Sequence, residues 1–296
     1  ANVLNNEGQP AFGPAYKTIE AQGVKIGIVG FLTQYIPHWE KPSIIKDLTF
    51  QSILTTAKDI LPDLRQSVDL LIVAYHGGFE RDLQTGLPTE SLTGENEAYQ
   101  LVEEYKDYID ALVTGHQHRE IADHLFGVPV IQPGYRGAFV GEIELELDNH
   151  KKVVASNARL HKTENCKVSS EVNQLISDVS TEAEDWLDQP MGEVHGEMII
   201  RDPMTARLIE HPYIELINKI QMEATGTEIS GTAVFNNEAK GFAKEITMRS
   251  ILTNYIYPNT LAVLRVTGAD LKAALERTAE HLELDESGEI VLSTIY

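Results

Sequence analysis

A layered α/β fold is predicted by three features of the sequence. The hydrophobic runs Val24–Phe31, Leu70–Tyr75 and Ala111–Thr114 alternate with segments of helical periodicity, the pattern of a sheet with helices laid on it. The runs at 70–75 and 111–114 are β-branched and aliphatic almost throughout, as strands are when both faces of their sheet are covered. Each also ends at once in histidine and glycine, as His76-Gly77-Gly78 and as Gly115-His116-Gln117-His118. Imidazoles at that point fall on the sheet rim, where α/β proteins gather their ligands.

The elements follow in order. Residues 1–23 are polar and punctuated by Gly8, Pro10, Gly13, Pro14 and Gly23, with room for a short strand over Tyr16–Glu20. Val24–Phe31 is a strand. In Phe50–Gln66 the residues Ile53, Leu54, Ala57, Ile60, Leu61 and Leu64 recur at helical spacing, so one face of a helix is buried. After strand Leu70–Tyr75 comes a loop with Gly77, Gly78 and Gly86, then Thr93 as an N-cap and a helix from about Glu95 to Tyr105. Val128–Gln132, Gly141–Leu147 and Val153–Leu160 are strands, and the alternation of the last two suits an antiparallel pair.

Cys166–Gln189 carries Val172, Ile176, Val179, Ala183 and Trp186-Leu187 in a polar setting and stops at Pro190 and Gly192. It reads as an exposed amphipathic connector helix. The expected organisation is therefore a first domain over 1–165, a linker helix over 166–190 and a second, partial domain over 191–296. Within the last, Pro212–Ala224, Thr247–Ile256 and Asp270–Leu282 read as helices, and Ile229–Phe235, Leu261–Val266 and Glu289–Tyr296 as strands.

Composition narrows the function. The chain has 296 residues, 42% hydrophobic and 23% charged, ordinary values for a globular protein. A net charge of −21 argues against DNA or RNA polymers, whose phosphates it repels. A small nucleotide is still admissible where a metal pair or a local positive site holds it. The single cysteine, Cys166, excludes an internal disulfide and a Cys-rich metal site. No apolar run is long enough for a membrane helix, and the first residues lack the signal-peptide pattern.

His116 and His118 lie two residues apart, so in an extended segment they project the same way, and a loop could also converge them; neutral imidazole is a ligand for zinc, iron and manganese. Alone, His76 would be an ordinary loop residue; beside a second strand-end histidine site it becomes a candidate ligand. Glu80 and Asp82 read as a solvated loop pair, the other reading being partners that fix an imidazole tautomer. His38, His124, His150, His161, His195, His211 and His281 lack strand-end context and count as surface or packing residues. Arg136, in Pro133–Gly137, counts as a turn residue.

Ala74-Tyr75-His76-Gly77-Gly78 with Thr114-Gly115-His116-Gln117-His118 resembles the last two motifs of the calcineurin-like metallophosphoesterases, and more narrowly the 5'-nucleotidase and 2',3'-cyclic-nucleotide phosphodiesterase group. Further on, Phe235-Asn236-Asn237-Glu238-Ala239-Lys240-Gly241-Phe242, Asn254-Tyr255-Ile256-Tyr257-Pro258-Asn259-Thr260-Leu261 and Val266-Thr267-Gly268-Ala269-Asp270 resemble the smaller substrate domain of the 2',3'-cyclic-nucleotide 2'-phosphodiesterase/3'-nucleotidases. The resemblance implies a layered metallophosphoesterase-type sheet domain joined by a helix to part of an α/β 5'-nucleotidase C-terminal-type domain. It implies a phosphoric ester hydrolase with two divalent ions (Mn, Zn, Mg, Co or Fe), a nucleotide substrate, and an extracellular, periplasmic or cell-wall location. His76 and His116 would ligate one ion and His118 the other.

On the same resemblance Tyr257 would stack on the base, while Asn259, Asn236, Asn237 and Lys240 would contact the nucleotide. Each has a plainer reading: Tyr257 as a packed turn aromatic before Pro258, Asn259 as a turn residue, Lys240 as a solvated lysine. The family's earlier motifs, of Asp-x-His, Gly-Asp and Gly-Asn-His type, are not found ahead of His76 in these residues. They supply the remaining ligands, a bridging Asp included, and the catalytic His, so no catalytic residue is assigned here. The expectation is a truncated fragment, inactive in isolation, holding at most one ion weakly and self-associating through an exposed sheet edge. The alternatives are a non-catalytic nucleotide- or metal-binding fragment, or a 5'-nucleotidase/UDP-sugar hydrolase.

Overall fold

In the computed structural model the chain divides into two compact units, Ala1–Lys167 and Val168–Tyr296. The structure describes residues 1–234, 240–256 and 260–292. The first unit runs β1 (Val3–Leu4), β2 (Tyr16–Ala21), β3 (Val24–Leu32), α1 (Pro42–Ile45), β4 (Thr49–Phe50), α2 (Ile53–Ser67), β5 (Leu70–His76), α3 (Ala98–Tyr105), β6 (Ala111–Thr114), β7 (Glu120–Leu125), β8 (Val128–Pro133), β9 (Phe139–Leu147) and β10 (Val153–Lys162).

Six of these strands form one sheet in the order β2-β3-β5-β6-β8-β7. The central pairs β3/β5, β5/β6 and β6/β8 are parallel, and β2 and β7 close the two edges antiparallel. One face carries Val29, Phe31, Leu71, Val73, Tyr75 and Leu112 into a core completed by Ile53, Ala57, Leu61 and Leu64 of α2 and by Ala98, Leu101 and Val102 of α3. The apolar stripe of α2 is thus accounted for, and Ser52 caps it by accepting from Thr55 N. Arg65 of α2 pairs with Asp110, whose carboxylate also accepts from Leu71 N at 2.7 Å, so helix and strands share one charge-assisted tie.

The opposite face is less covered. The β9/β10 hairpin, antiparallel as its alternation predicts, brings Gly141, Ile143 and Leu145 to a cavity of about 180 Å³ shared with Ile72, Ala111, Val113 and Ile131. Val113 is still 39% exposed and Ile19 40%, and all six residues of edge strand β2 are exposed. Two-face coverage, inferred from the unbroken apolar runs, therefore holds only in part.

The second unit contains α4 (Ser170–Leu187), β11 (Pro190–Glu193), β12 (Met198–Ile199), α5 (Pro203–Leu208), α6 (Pro212–Thr225), β13 (Gly241–Phe242), β14 (Glu245–Thr247), α7 (Met248–Asn254), α8 (Gly268–Ala279), β15 (Leu282–Leu284) and β16 (Ile290–Leu292). Its core gathers Val194, Ile200, Ala206, Tyr213 and Phe242. Helix α4 has no buried residue and lies within this unit, where Arg249 of α7 pairs with Glu184 and with Asp188 just past its end. Thr267 and Asp270 cap α8 reciprocally, Asp270 Oδ2 accepting from Thr267 N at 2.8 Å.

Two expected strands are not formed. Residues 229–234 and 261–266 lie outside any strand, although their composition is strand-like. A strand is defined by a hydrogen-bonded neighbour, and neither segment has one among the described residues. Strand β16 pairs with β15, while 293–296 lie outside the described residues. The helix expected from Glu95 starts at Ala98, with Glu97 at the cap position and no side-chain cap from it. Strand β7 went unpredicted, because Glu120–Leu125 includes Asp123 and His124 and lacks a clean apolar alternation.

Candidate functional site

Strands β5 and β6 are parallel neighbours with Tyr75 opposite Thr114. His76 and the Gly115-His116 step therefore leave the sheet on one edge. The double glycine after His76 is a packing requirement. A Cβ on Gly77 would lie 2.0 Å from the buried Tyr75 ring, and one on Gly78 2.0 Å from the Gln117 amide. Gln117 itself clasps the loop beyond: its Oε1 accepts from Phe79 N at 2.8 Å, and its Nε2 donates to Phe79 O at 3.0 Å and to Glu90 at 2.9 Å.

On either side of Gln117 the backbone is left-handed, with φ of 70° at His116 and 59° at His118. Side-chain-bearing residues adopt this region only where surrounding contacts enforce it. The consequence departs from the extended geometry inferred for the pair. The His76 and His116 rings approach to 5.4 Å between centroids, whereas His118 stacks on Tyr135 at 4.9 Å. The Arg136 guanidinium sits 5.2 Å from that same Tyr135 ring. His116 also stacks on Trp39 at 5.6 Å, and its Nε2 meets Glu95 Oε1 at 2.8 Å.

Electrostatics favour neutral imidazole at His76. Loss of hydration, then the nearby His116 and His118, push its pKa below the ordinary histidine value. The neutral ring is the metal-binding form. These donors suit a divalent transition ion in kind and fall short in number. Among the described residues no group of three or more His, Cys, Asp or Glu is arranged to hold an ion. His76 and His116 are the candidate ligands that the fold draws together. Beside them lies a cleft of about 670 Å³ lined by Glu90, Ser91, Glu95, Asn96, His116 and Arg119, among others.

Glu80 corrects the reading of a solvated pair. It is 4% exposed and accepts from Tyr99 N and Gln100 N at 3.1 and 2.9 Å, capping α3. Burial raises its pKa, and those bonds oppose the rise. Asp82 does sit in an exposed turn, held below the usual carboxylate range by Thr85. Glu97, beside Glu80, is pushed up to about 7 by burial and by the charges of Glu80 and Glu104. Its Oε2 is buried without a hydrogen-bond partner.

In the second unit Lys240 is exposed, and its backbone N donates to Asn254 Oδ1 at 2.9 Å. Asn236, Asn237, Tyr257 and Asn259 lie outside the described residues. Asn254, only 3% exposed, also accepts from Gly241 N at 2.7 Å and donates to Gly241 O and Ser250 O at 2.8 and 2.7 Å. It thereby ties the turn at Lys240 to the end of α7. Gly241 has φ 64°, and a Cβ there would stand 1.9 Å from Met198 O. Sequence reasoning missed Trp39, Glu95, Gln117, Tyr135 and Asn254 as site-shaping residues. Only Gln117, inside the Gly-His-Gln-His step, had a local signal; the others meet their partners through the closed sheet or turn.

Residues 190–290 match the family of 5'-nucleotidase C-terminal domains. Along 94% of its length the chain is 25% identical to the 2',3'-cyclic-nucleotide 2'-phosphodiesterase/3'-nucleotidase of Salmonella typhimurium, covering 47% of that protein. It is 23% identical, again over 94% of its length, to the trifunctional nucleotide phosphoesterase YfkN of Bacillus subtilis, covering 22% of it. The chain thus spans half or less of the length of these relatives. A solved Staphylococcus aureus structure, described as a 5'-nucleotidase in complex with alpha-ketoglutarate, superposes with a TM-score of 0.89 at 36% identity, covering all of this chain and 57% of that one. The second unit thus matches the 5'-nucleotidase C-terminal domain family, and the likeness to a solved 5'-nucleotidase-type structure extends through the first unit.

Proposed function

We propose that this chain carries the imidazole portion of the metal centre and the nucleotide-recognition domain of a metal-dependent nucleotide phosphoesterase, acting on 2',3'-cyclic nucleotides and then on 3'-nucleotides. The observation that carries the reading is the meeting of His76 and His116 at the common edge of two parallel strands. His76 and His116 would hold one divalent ion, with His118 offered to a second. A bound divalent ion supplies charge neutralisation at the phosphoryl oxygens. That charge matters in a chain of net −21, which otherwise repels a nucleotide. Tyr257 would stack on the base, an interaction worth about 1–3 kcal/mol and tolerant of base identity. Asn236, Asn237, Asn259 and Lys240 would supply polar contacts to the nucleotide. An exported location accompanies this reading.

The narrower substrate assignment is supported by Tyr257-Pro258-Asn259-Thr260-Leu261 and by the Salmonella relative. A plain 5'-nucleotidase is the second reading, favoured by the 36% identity to the Staphylococcus aureus structure. The test is release of phosphate and nucleoside from 2',3'-cyclic AMP, 3'-AMP and 5'-AMP with Mn²⁺, for the wild-type chain beside His116→Ala. For the chain by itself the expected result is Mn²⁺ binding without turnover, and turnover of the cyclic and 3' substrates that disappears in the variant would show a complete centre. A preference for 5'-AMP would favour the second reading. Mn²⁺ binding that is lost in His116→Ala, without turnover of any substrate, would leave a metal-binding chain that is not catalytic by itself.

A further inference from the structure

Glu95 is no ordinary loop acid. Its backbone carbonyl accepts from Thr33 Oγ1 at 2.6 Å and from the Tyr75 hydroxyl at 3.2 Å, and Thr33 and Tyr75 are 1% and 2% exposed. Thr33 lies just past the end of β3, and Tyr75 lies in β5. The next residue, Asn96, is also buried; it accepts from Gly78 N at 2.6 Å and donates to Glu90 Oε1 at 2.8 Å. The position of Glu95 is therefore set from the core, by the ends of two neighbouring strands and the loop after His76. From that position its carboxylate reaches His116 Nε2 at 2.8 Å, with the two side chains 33% and 22% exposed. Trp39 lies across the face of the same imidazole.

A carboxylate can only accept, so with neutral His116 this contact requires the ring proton on Nε2 and leaves the lone pair on Nδ1. We propose that Glu95 is a positioning residue: it fixes the tautomer and orientation of His116, so that this ring meets a divalent cation pre-aligned. The proposal rests on His116 being a metal ligand, as in the reading above. Supports of this kind typically change metal affinity 10–100-fold when removed. Loop carboxylates on a solvated histidine do little, and the core anchoring of Glu95 sets this one apart from them.

The experiment uses the chain labelled with ¹⁵N-histidine, first without metal. Two-bond ¹H–¹⁵N spectra should show His116 as the Nε2–H tautomer in the wild type and as a mixture in Glu95→Ala. Glu95→Gln should give an intermediate mixture, because its amide can accept from Nε2–H or, flipped, donate to a bare Nε2. Calorimetric titration with Mn²⁺ should then show about 10–100-fold weaker binding for Glu95→Ala, with Glu95→Gln between it and the wild type. If Glu95→Ala fails to fold, Glu95→Asp, which withdraws the carboxylate by one methylene, replaces it and should show the same loss in smaller measure. An unchanged tautomer in the Ala or Asp variant overturns the proposal, as does Mn²⁺ affinity equal to wild type in a chain whose His116→Ala variant binds weakly. If His116→Ala binds as tightly as the wild type, the ligand reading is what fails, and the tautomer spectra alone decide the role of Glu95.

Discussion

Replacing Glu97 by Gln should flatten the pH dependence of the first unit's stability. Glu97 stands at the start of α3 with Oε2 buried and unpartnered, facing Glu80 and near Glu104 and the Tyr75 hydroxyl. Burial and the two neighbouring carboxylates lift it from 4.5 to about 7. Below pH 4.5 the group is neutral in both folded and unfolded chains, and its folded environment is tolerated. Between 4.5 and 7 the unfolded chain ionises while the folded one does not, so stability falls as pH rises, and the loss is complete above 7. Taken in full the shift is worth about 3 kcal/mol; water reaching this half-buried group reduces the expectation to about 1–2 kcal/mol. The assay is urea unfolding at pH 5 and pH 8, followed by Trp39 fluorescence in a Trp186→Phe background. Wild type should lose about 1–2 kcal/mol more than Glu97→Gln across that interval. Parallel losses in the two proteins would refute the reasoning.

Other substitutions probe the remaining constraints. Gly241→Ala places a methyl 1.9 Å from Met198 O at a left-handed residue, and should destabilise the second unit by more than about 2 kcal/mol, read by thermal melting. Gln117→Ala removes three hydrogen bonds to Phe79 and Glu90 and should lower stability by about 1–3 kcal/mol. It should also weaken Mn²⁺ binding, since the left-handed turn presenting His116 loses its clasp; unchanged calorimetric affinity would count against that link. The incompletely covered sheet face at Ile19 and Val113, with exposed edge strand β2, should drive self-association. Light scattering at tens of micromolar should then report a mass above that of one chain, and a clean monomer would exclude it.

Much of the first unit was legible because its signals are local. Period-2 and period-3.6 patterns set which side chains are buried, so β3, β5, β6, α2 and the β9/β10 pair can be read from residue order alone. The strand-end placement of His76 and His116 came with them. Elsewhere the local signal misled. Residues 229–234 and 261–266 have strand composition without a strand, because pairing needs a neighbour that composition cannot provide. Glu80 looked solvated because its capping partners, Tyr99 N and Gln100 N, lie 19 and 20 residues away.

What the sequence alone determined was the fold class and the gathering of imidazoles at one rim of the sheet. The tertiary structure decided how those imidazoles are arranged. It drew His76 and His116 together, turned His118 onto Tyr135, and set Glu95 and Trp39 against His116. Glu95 reaches His116 across 21 residues, and Thr33 reaches Glu95 across 62. Contacts at such separations exist only once the strands have paired and brought their ends to one edge. No periodicity along the chain records them, because side-chain patterning encodes which face is buried and not which distant residue waits there.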